Sequence, residues 1–301
     1  MSIKVRSYQG LDDYYRIGQF LIETYQSWRS VGNWLQPRWE YMHFHPDLDE
    51  STLIKIGIWE CDGNIVGVTH HEAQLGEVYF ELHPDFTHIK PDMLEYAEKY
   101  LYTELDGKRR HINAFINDFD TEFESIASSR GYKKIEEKSE AMSEFLIPHP
   151  FPEISLPEGF RLKSMDDEDN LYKTNRLLYR GFNHPGEPPA DGVEGRRKMQ
   201  SAPNFRKGLN IIAESPDGDF ASYCGMWYEP NYKIAYVEPV ATDPDYRRMG
   251  LGTAAVLEGI RRCGELGATV AYVTTARAFY LNMGFKKLYN IYRWTKSLAV
   301  N

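Results

Sequence analysis

Val237-Glu238-Pro239-Val240-Ala241-Thr242-Asp243-Pro244-Asp245-Tyr246-Arg247-Arg248-Met249-Gly250-Leu251-Gly252-Thr253 is the stretch on which the reading of the chain turns. A β-like run ends in a proline-containing turn, two arginines follow, and a Gly-x-Gly pair opens an apolar helical segment. That order brings several backbone N–H groups together at a helix start, where their partial charges add to the helix dipole and favour an anion. A side chain at position 250 or 252 would hold a phosphate away from those amides, so glycine suits both places. The pattern reads as a pyrophosphate cradle.

Gly-x-Gly before a helix also serves a tight turn that binds nothing, so the flanking residues decide. A dinucleotide-binding unit fits poorly, because Ala255 stands where a third glycine is needed and no acidic residue closes a second strand about twenty positions on. A P-loop is excluded, since no Gly-Lys-Ser/Thr ending is present. What remains is the Arg-x-x-Gly-x-Gly spelling from Arg247, its place directly after a β run, and the later segment Phe279-Tyr280-Leu281-Asn282-Met283-Gly284-Phe285. Together, across Lys233 to Phe285, these resemble the GNAT superfamily of acyl-CoA-dependent N-acetyltransferases.

The resemblance implies an α/β domain on a mixed sheet with acetyl-CoA as co-substrate and no metal. It implies that the strand holding Val240, Ala241 and Thr242 splays from its neighbour, with main-chain groups of Val240 and Thr242 offered to the pantetheine arm. Arg247, Arg248, Met249, Gly250, Leu251, Gly252 and Thr253 would surround the pyrophosphate, and Tyr280 would lie near the thiol. One departure is visible: Thr274-Thr275-Ala276-Arg277-Ala278 is a shorter connection to the tyrosine than many members have.

Acyl transfer to an amine requires a neutral nucleophile, a polarised thioester and a proton for the departing thiolate. Tyr280 is the candidate acid, since a phenol of pKa about 10 can protonate a thiolate of slightly lower basicity; the alternative is a tyrosine packed on the sheet. Glu238 is the candidate base. It stands two residues before Val240, so period-two geometry puts both on one strand face, and Tyr236 on that same face is an alternative that orients a water or lines the pocket. Glu238 beside Pro239 also reads as an ordinary polar residue at a bulge.

The chain has 301 residues, more than the ~100–200 of a usual domain, and its 42% hydrophobic content supplies two modest cores. Thirty-five Lys and Arg against 44 Asp and Glu give a formal charge of −9, which argues against gripping nucleic acid by phosphate neutralisation. Cys61, Cys224 and Cys263 are far apart and form neither a disulfide framework nor a zinc motif. His43 and His45, and the adjacent His70 and His71, lack a third ligand at metal spacing. No signal peptide opens the chain, and no run approaches the ~20 apolar residues that span a bilayer. A cytoplasmic location follows as the expectation.

Ile147-Pro148-His149-Pro150-Phe151-Pro152 and Leu156-Pro157-Glu158-Gly159 interrupt both helix and strand, and the halves either side read alike. Each opens with a β run (Ile3 to Ser7; Phe160 to Lys163), then aspartates that can cap a helix (Asp12 and Asp13; Asp166 and Asp167), then a helix. Each continues with an Asp-Gly hairpin and a strand ending in His83-Pro84-Asp85-Phe86 or Asp243-Pro244-Asp245-Tyr246. After that the first half has Thr87-His88-Ile89-Lys90-Pro91-Asp92 where the second has the cradle. The expected organisation is therefore two tandem GNAT-like acyl-CoA N-acyltransferase domains: a degenerate one at 1–147, a linker at 148–159, and an acetyl-CoA-binding catalytic one at 160–301.

Within the second domain the expected order is β 160–163, helices 170–181 and 192–202, β 209–214, 220–227 and 234–242, helix 252–264, β 269–274, helix 277–283 and β 289–296. The irregular loop from Tyr179 to Asp191 and the Tyr228-Glu229-Pro230-Asn231-Tyr232 turn are candidate acceptor walls, with aromatics and carboxylates suited to a cationic amine. Trp28, Trp34, Trp39, Tyr41, Phe44 and the nearby histidines of the first half read as core or interdomain packing. The expected activity is N-acetyl transfer to a primary amine of a small molecule by direct attack in a ternary complex. Two alternatives stay open: a non-catalytic acyl-CoA sensor, and an enzyme that acetylates a protein N-terminus or lysine.

Overall fold

A computed structural model describes residues 2–25, 31–105, 107, 109–189 and 191–299. Two compact units emerge: unit 1 contains Met1–Met42, Asp47–Met142 and Leu288–Asn301, and unit 2 contains His43–Pro46 and Ser143–Lys287.

In chain order, the first half contributes β1 (Ile3–Ser7), α1 (Leu11–Glu23), α2 (Gln36–Phe44), β2 (Gly57–Cys61), β3 (Asn64–His71), β4 (Glu77–Leu82), α3 (Lys90–Tyr100), β5 (Thr103–Leu105), β6 (Arg109–Asn117), α4 (Thr121–Ser129) and β7 (Lys133–Leu146). The second contributes β8 (Arg161–Ser164), α5 (Leu171–Gly181), α6 (Gly192–Gln200), β9 (Asn210–Glu214), β10 (Phe220–Glu229), β11 (Ile234–Thr242), α7 (Leu251–Glu265), β12 (Val270–Val273), α8 (Ala278–Asn282) and β13 (Lys286–Ala299).

Unit 1 orders its strands β1-β2-β3-β4-β6-β13, and in unit 2 the end of β7 is followed by β12-β11-β10-β9-β8. The division at 148–159 therefore needs correction at both ends. β13 runs antiparallel along β6, with Ile291 opposite Asn117 and Ala299 opposite Arg109, so the last strand of the chain belongs to unit 1. Ser143 to Leu146 of β7 pair with Val273 to Val270 of β12, so the last strand of the first half ends in unit 2. Strand alternation marks 289–296 within β13 but contains no information about the partner it selects.

The main core of unit 2 lies between the sheet and α7, where Cys224, Met226, Ala235, Val237 and Ala271 meet Ala255, Val256 and Ile260. Small residues let the helix sit close: a Cβ on Gly259 would lie 2.5 Å from Met226 Cγ. That contact fixes the height of α7 over β10 and hence the position of its first turn. The opposite face buries Leu177 and Leu178 of α5 against Ile212, Tyr223 and Ala241.

The expected aspartate caps are differently used. Asp13 accepts from Arg6 at 2.6 Å and from Gln9 N–H at 2.8 Å, and Asp167 accepts from Ser164 N–H at 2.8 Å; α5 is capped instead by Asn170, which accepts from Lys173 N–H at 3.1 Å. Trp34 and Trp39 are buried in unit 1, whereas Trp28 lies outside the described residues. All three cysteines are buried and free. Among the described residues no helix is long and apolar enough to cross a membrane.

Candidate active site

The site begins with an interruption in strand pairing. β11 pairs antiparallel with β10 along its length, but its parallel pairing with β12 covers only Ile234–Tyr236 against Val270–Tyr272. From Val237 to Thr242 that edge of β11 has no strand partner among the described residues. A bulge lies within the stretch. Cys224 opposes Val240 and Met226 opposes Val237, so the single residue Gly225 faces both Glu238 and Pro239. Glycine is required there, because a Cβ on residue 225 would lie 2.6 Å from the Glu238 carbonyl oxygen. Trp227 Nε1 donates to that same carbonyl at 2.9 Å.

The extra residue corrects the expectation that Glu238 and Val240 share a face. Val240 packs against the cluster that holds Ala235 and Val237, so the alternation is reset between positions 237 and 240. Past the bulge, the Ala241 carbonyl accepts from Ser222 Oγ and Asp243 N–H donates to the Ala221 carbonyl, both at 3.0 Å and both toward β10. Strand alternation then turns the main-chain groups of Val240 and Thr242 to the splayed edge.

The cradle follows. Asp243 is buried and caps the short turn after it, accepting from Asp245 N–H at 3.0 Å. Arg180 grips the Asp243 carboxylate at 2.7 and 3.0 Å and reaches Asp245 at 2.7 Å. Burial works to raise the Asp243 pKa, but the Arg180 bonds prevail and hold it below its ordinary value. Arg248 has φ 64° and Gly250, the N-cap of α7, has φ 81°. Two left-handed residues so close together turn consecutive amides toward one side. The first bond of the helix runs from Ala254 N–H to the Gly250 carbonyl at 3.0 Å, so the N–H groups of Leu251, Gly252 and Thr253 precede the ladder.

The two glycines serve different ends. A Cβ on Gly250 would meet nothing within 4 Å, so its requirement is conformational; one on Gly252 would lie 3.0 Å from Thr242 Oγ1 and 3.3 Å from the Phe279 ring. Gly252 thus lets the first turn of α7 approach both the end of β11 and the first turn of α8.

These pieces enclose a cleft of about 730 Å³. Of the residues singled out in sequence, Val240, Ala241, Thr242, Arg247, Arg248, Gly250, Leu251, Gly252, Thr253 and Tyr280 line it. Met249 is exposed without lining it, and Glu238 is half-buried at the bulge beside it. Arg247 Nη2 donates to the Gly181 carbonyl at 2.9 Å and to Asn183 Oδ1 at 2.8 Å, and its Nε to the Thr242 carbonyl at 3.2 Å. The guanidinium is thereby held by protein acceptors and ties the end of α5 to the end of β11. In sequence Arg180 and Asn183 stood only within a candidate acceptor loop, and Phe279 and Arg277 only within flanking segments, none with a role at the cleft. Only Asp243 before Pro244, a turn-capping spelling, pointed to a structured entry into the cradle.

Tyr280 is buried, and burial raises its pKa well above the phenol range, aided by the neighbouring Cys224 and Glu238 and opposed by Arg277. Glu238 and Tyr280 are therefore within electrostatic reach of each other. Tyr236 is fully buried, with its hydroxyl 2.9 Å from Thr274 Oγ1, and it does not line the cleft. In the Tyr179–Asp191 loop, Tyr179 stacks on His184 and donates to the Pro185 carbonyl at 3.0 Å, while Phe182 and Asn183 reach the cleft. The Tyr228 hydroxyl instead donates to the Leu266 carbonyl at 2.8 Å, at the far end of α7.

Unit 1 repeats the splay and fills it. β4 pairs parallel with β6 only at Glu77 and Val78, and the Asn33 side chain then takes both main-chain groups of Leu82, accepting from its N–H at 2.8 Å and donating to its carbonyl at 3.0 Å. At the start of α3 the buried Lys90 ammonium is bonded to Asp120 at 2.8 Å and Glu122 at 2.9 Å. The void beside Leu82, Lys90, Asn117 and Asp120 measures only about 20 Å³.

Residues 177–285 match the model of the Acetyltransferase (GNAT) family. No curated protein sequence matches the chain. Among solved structures the chain is similar to a GCN5-related N-acetyltransferase from Sphaerobacter thermophilus (14% identity, 99% of this chain and 96% of that one, TM-score 0.68). It is similar also to a tandem GNAT protein from the clavulanic acid biosynthesis pathway (13% identity, 98% of each chain, TM-score 0.65). A third is a GNAT-family acetyltransferase from Colwellia psychrerythraea (11% identity, 97% and 99%, TM-score 0.59). The fold is thus that of tandem GNAT domains, and the acetyltransferase family match over residues 177–285 supports an acyltransferase.

Proposed function

We propose that the chain transfers acetyl from acetyl-CoA to a primary amine of a small molecule, by direct attack in a ternary complex, and that the C-terminal half supplies the catalytic domain. The observation that carries this reading is the edge of β11 beyond Tyr236, which has no strand partner among the described residues and leads through a short turn to the first turn of α7. An extended amide-bearing arm can pair with the one, and a pyrophosphate can sit on the other. Main-chain groups of Val240 and Thr242 would hold the pantetheine, and Arg248 with the N–H groups of Leu251 to Thr253 the phosphates. Arg247 acts at one remove by fixing the loop, and Met249 and Ala241 complete the backbone path.

In the transfer, the amine lone pair attacks the thioester carbonyl carbon, the C–S bond breaks, and the electron pair leaves on sulfur. Tyr280 gives its proton to the thiolate, and Glu238 takes the proton that the amine must lose, directly or through a water. The Glu238 carboxylate and the net charge of −9 favour a cationic acceptor over an anionic one. Phe182 and Asn183, on a Pro- and Gly-rich loop, close one side of the cleft, which suits a small acceptor better than a peptide.

The test is thiol release from acetyl-CoA across a panel of small amines and short peptides. Turnover with small amines supports the reading, and turnover with peptides alone refutes the acceptor class. Tight CoA binding with no turnover on any amine would make the protein a sensor, and absence of CoA binding would refute the cleft assignment.

A further inference from the structure

We propose that Arg277, which belongs to no part of the cradle motif, is a second phosphate-gripping residue of the donor cleft. The inference rests on the acyl-CoA reading above and extends it by one residue.

Three arginines line the cleft: Arg247, Arg248 and Arg277. The first is committed to the Gly181 and Thr242 carbonyls and to Asn183. Arg248 and Arg277 are exposed, and among the described residues neither forms an ion pair. In a chain with 44 acidic residues against 35 basic ones, two exposed guanidinium groups left to one cleft without a carboxylate mark it for an anion.

Placement says which part of the donor Arg277 meets. It is the N-cap of α8, two residues before Phe279, whose ring lies 3.3 Å from where a Gly252 Cβ would stand. The first turn of α8 is therefore packed on the first turn of α7, and Arg277 enters the cleft beside the amides of the cradle. Arg248 and Arg277 both line the cleft at that helix start, and a guanidinium is a planar fork suited to phosphate oxygens. The short Thr274–Ala278 connection is what brings an arginine to this place. A competing role exists: Arg277 also lies within electrostatic reach of Tyr280, where it would steady the departing thiolate instead.

The experiment measures equilibrium binding of CoA and of pantetheine, which has no phosphate, to the full-length wild type and to Arg277→Gln and Arg277→Lys. The expected result is CoA affinity weakened about tenfold in Arg277→Gln and partly restored in Arg277→Lys, with pantetheine affinity unchanged within twofold. The salt dependence of CoA binding should also flatten in Arg277→Gln, because one screened contact is lost. Unchanged CoA affinity in Arg277→Gln overturns the proposal, as does an equal loss for CoA and pantetheine, while wild-type affinity for CoA leaves the cleft reading standing. A wild type that binds no CoA refutes the cleft reading itself.

Discussion

Gly250→Ala isolates the conformational requirement of the cradle from any steric one. Gly250 sits at φ 81° and ψ −2° as the N-cap of α7, and nothing lies within 4 Å of the position its Cβ would take. An alanine there clashes with no protein atom, so its cost is that of the left-handed backbone, about 1–2 kcal/mol. For a body of this size that corresponds to a fall in Tm of roughly 2–8 °C. Asparagine tolerates the left-handed region better, so Gly250→Asn should recover part of the loss. Gly252→Ala is the contrast. Its Cβ would press on Thr242 Oγ1, itself 2.9 Å from Ser222 Oγ, and on Phe279. Overpacking of about 1–3 kcal/mol is then set against a helix-propensity gain of up to about 1 kcal/mol. Gly252→Ala should therefore lose up to about 2 kcal/mol of stability while the cleft narrows. Thermal melts report the first quantity and calorimetry with CoA the second. A Gly250→Ala protein as stable as wild type would refute the argument that residue 250 is held left-handed.

Three further outcomes are expected. Tyr280→Phe should leave CoA affinity unchanged and slow acetyl transfer about 100-fold or more; turnover equal to wild type would remove the tyrosine from the chemistry. Calorimetric titration should give one CoA per chain, because Asn33 and Lys90 occupy the corresponding places of unit 1, and a stoichiometry of two would contradict that. His71, buried in unit 1, has its pKa lowered by burial from an ordinary 6.5 to about 4. The unfolded chain therefore binds its proton first, so stability is full above pH ~6.5 and falls by about 3 kcal/mol as the pH drops toward 4. Urea unfolding of His71→Leu should show a flatter dependence across that window, and an unchanged slope would exclude His71 as the cause.

The turn after β11 and the start of α7 were legible because their requirements are local. Proline stops β11, glycine permits the left-handed cap, and an apolar period announces α7, all within seventeen consecutive residues. What sequence could not supply was anything depending on a partner strand. Glu238 and Val240 fall on one face by counting, but Gly225 across the ladder accommodates an extra residue and resets the count. The same blindness hid the placement of β13 along β6, since Ile291 to Ala299 would alternate identically beside any neighbour. The partners of charged side chains were hidden for a related reason. Arg247 follows the spelling of a phosphate ligand, yet Gly181 and Asn183, more than sixty residues earlier, arrive to bind it. Asp13 and Asp167 resemble helix caps but are claimed by Arg6 and Ser164.

The two halves show why a splayed strand becomes a site in one place and not in another. Splaying leaves backbone N–H and C=O groups without a ladder partner, and such groups, once shielded from bulk water, have to be satisfied by something. In unit 1 the carboxamide of Asn33 meets both obligations of Leu82, and the Lys90 ammonium with Asp120 and Glu122 neutralises the start of α3 from within. A ligand would have to displace bonds already made, each worth about 1 kcal/mol net and more where charge is involved, before gaining any of its own. In unit 2 the Thr242 carbonyl is met by Arg247, and a cleft of about 730 Å³ lies beside Val240, Thr242 and the start of α7. The same splay is therefore met by the Asn33 side chain in unit 1 and borders an open cleft in unit 2.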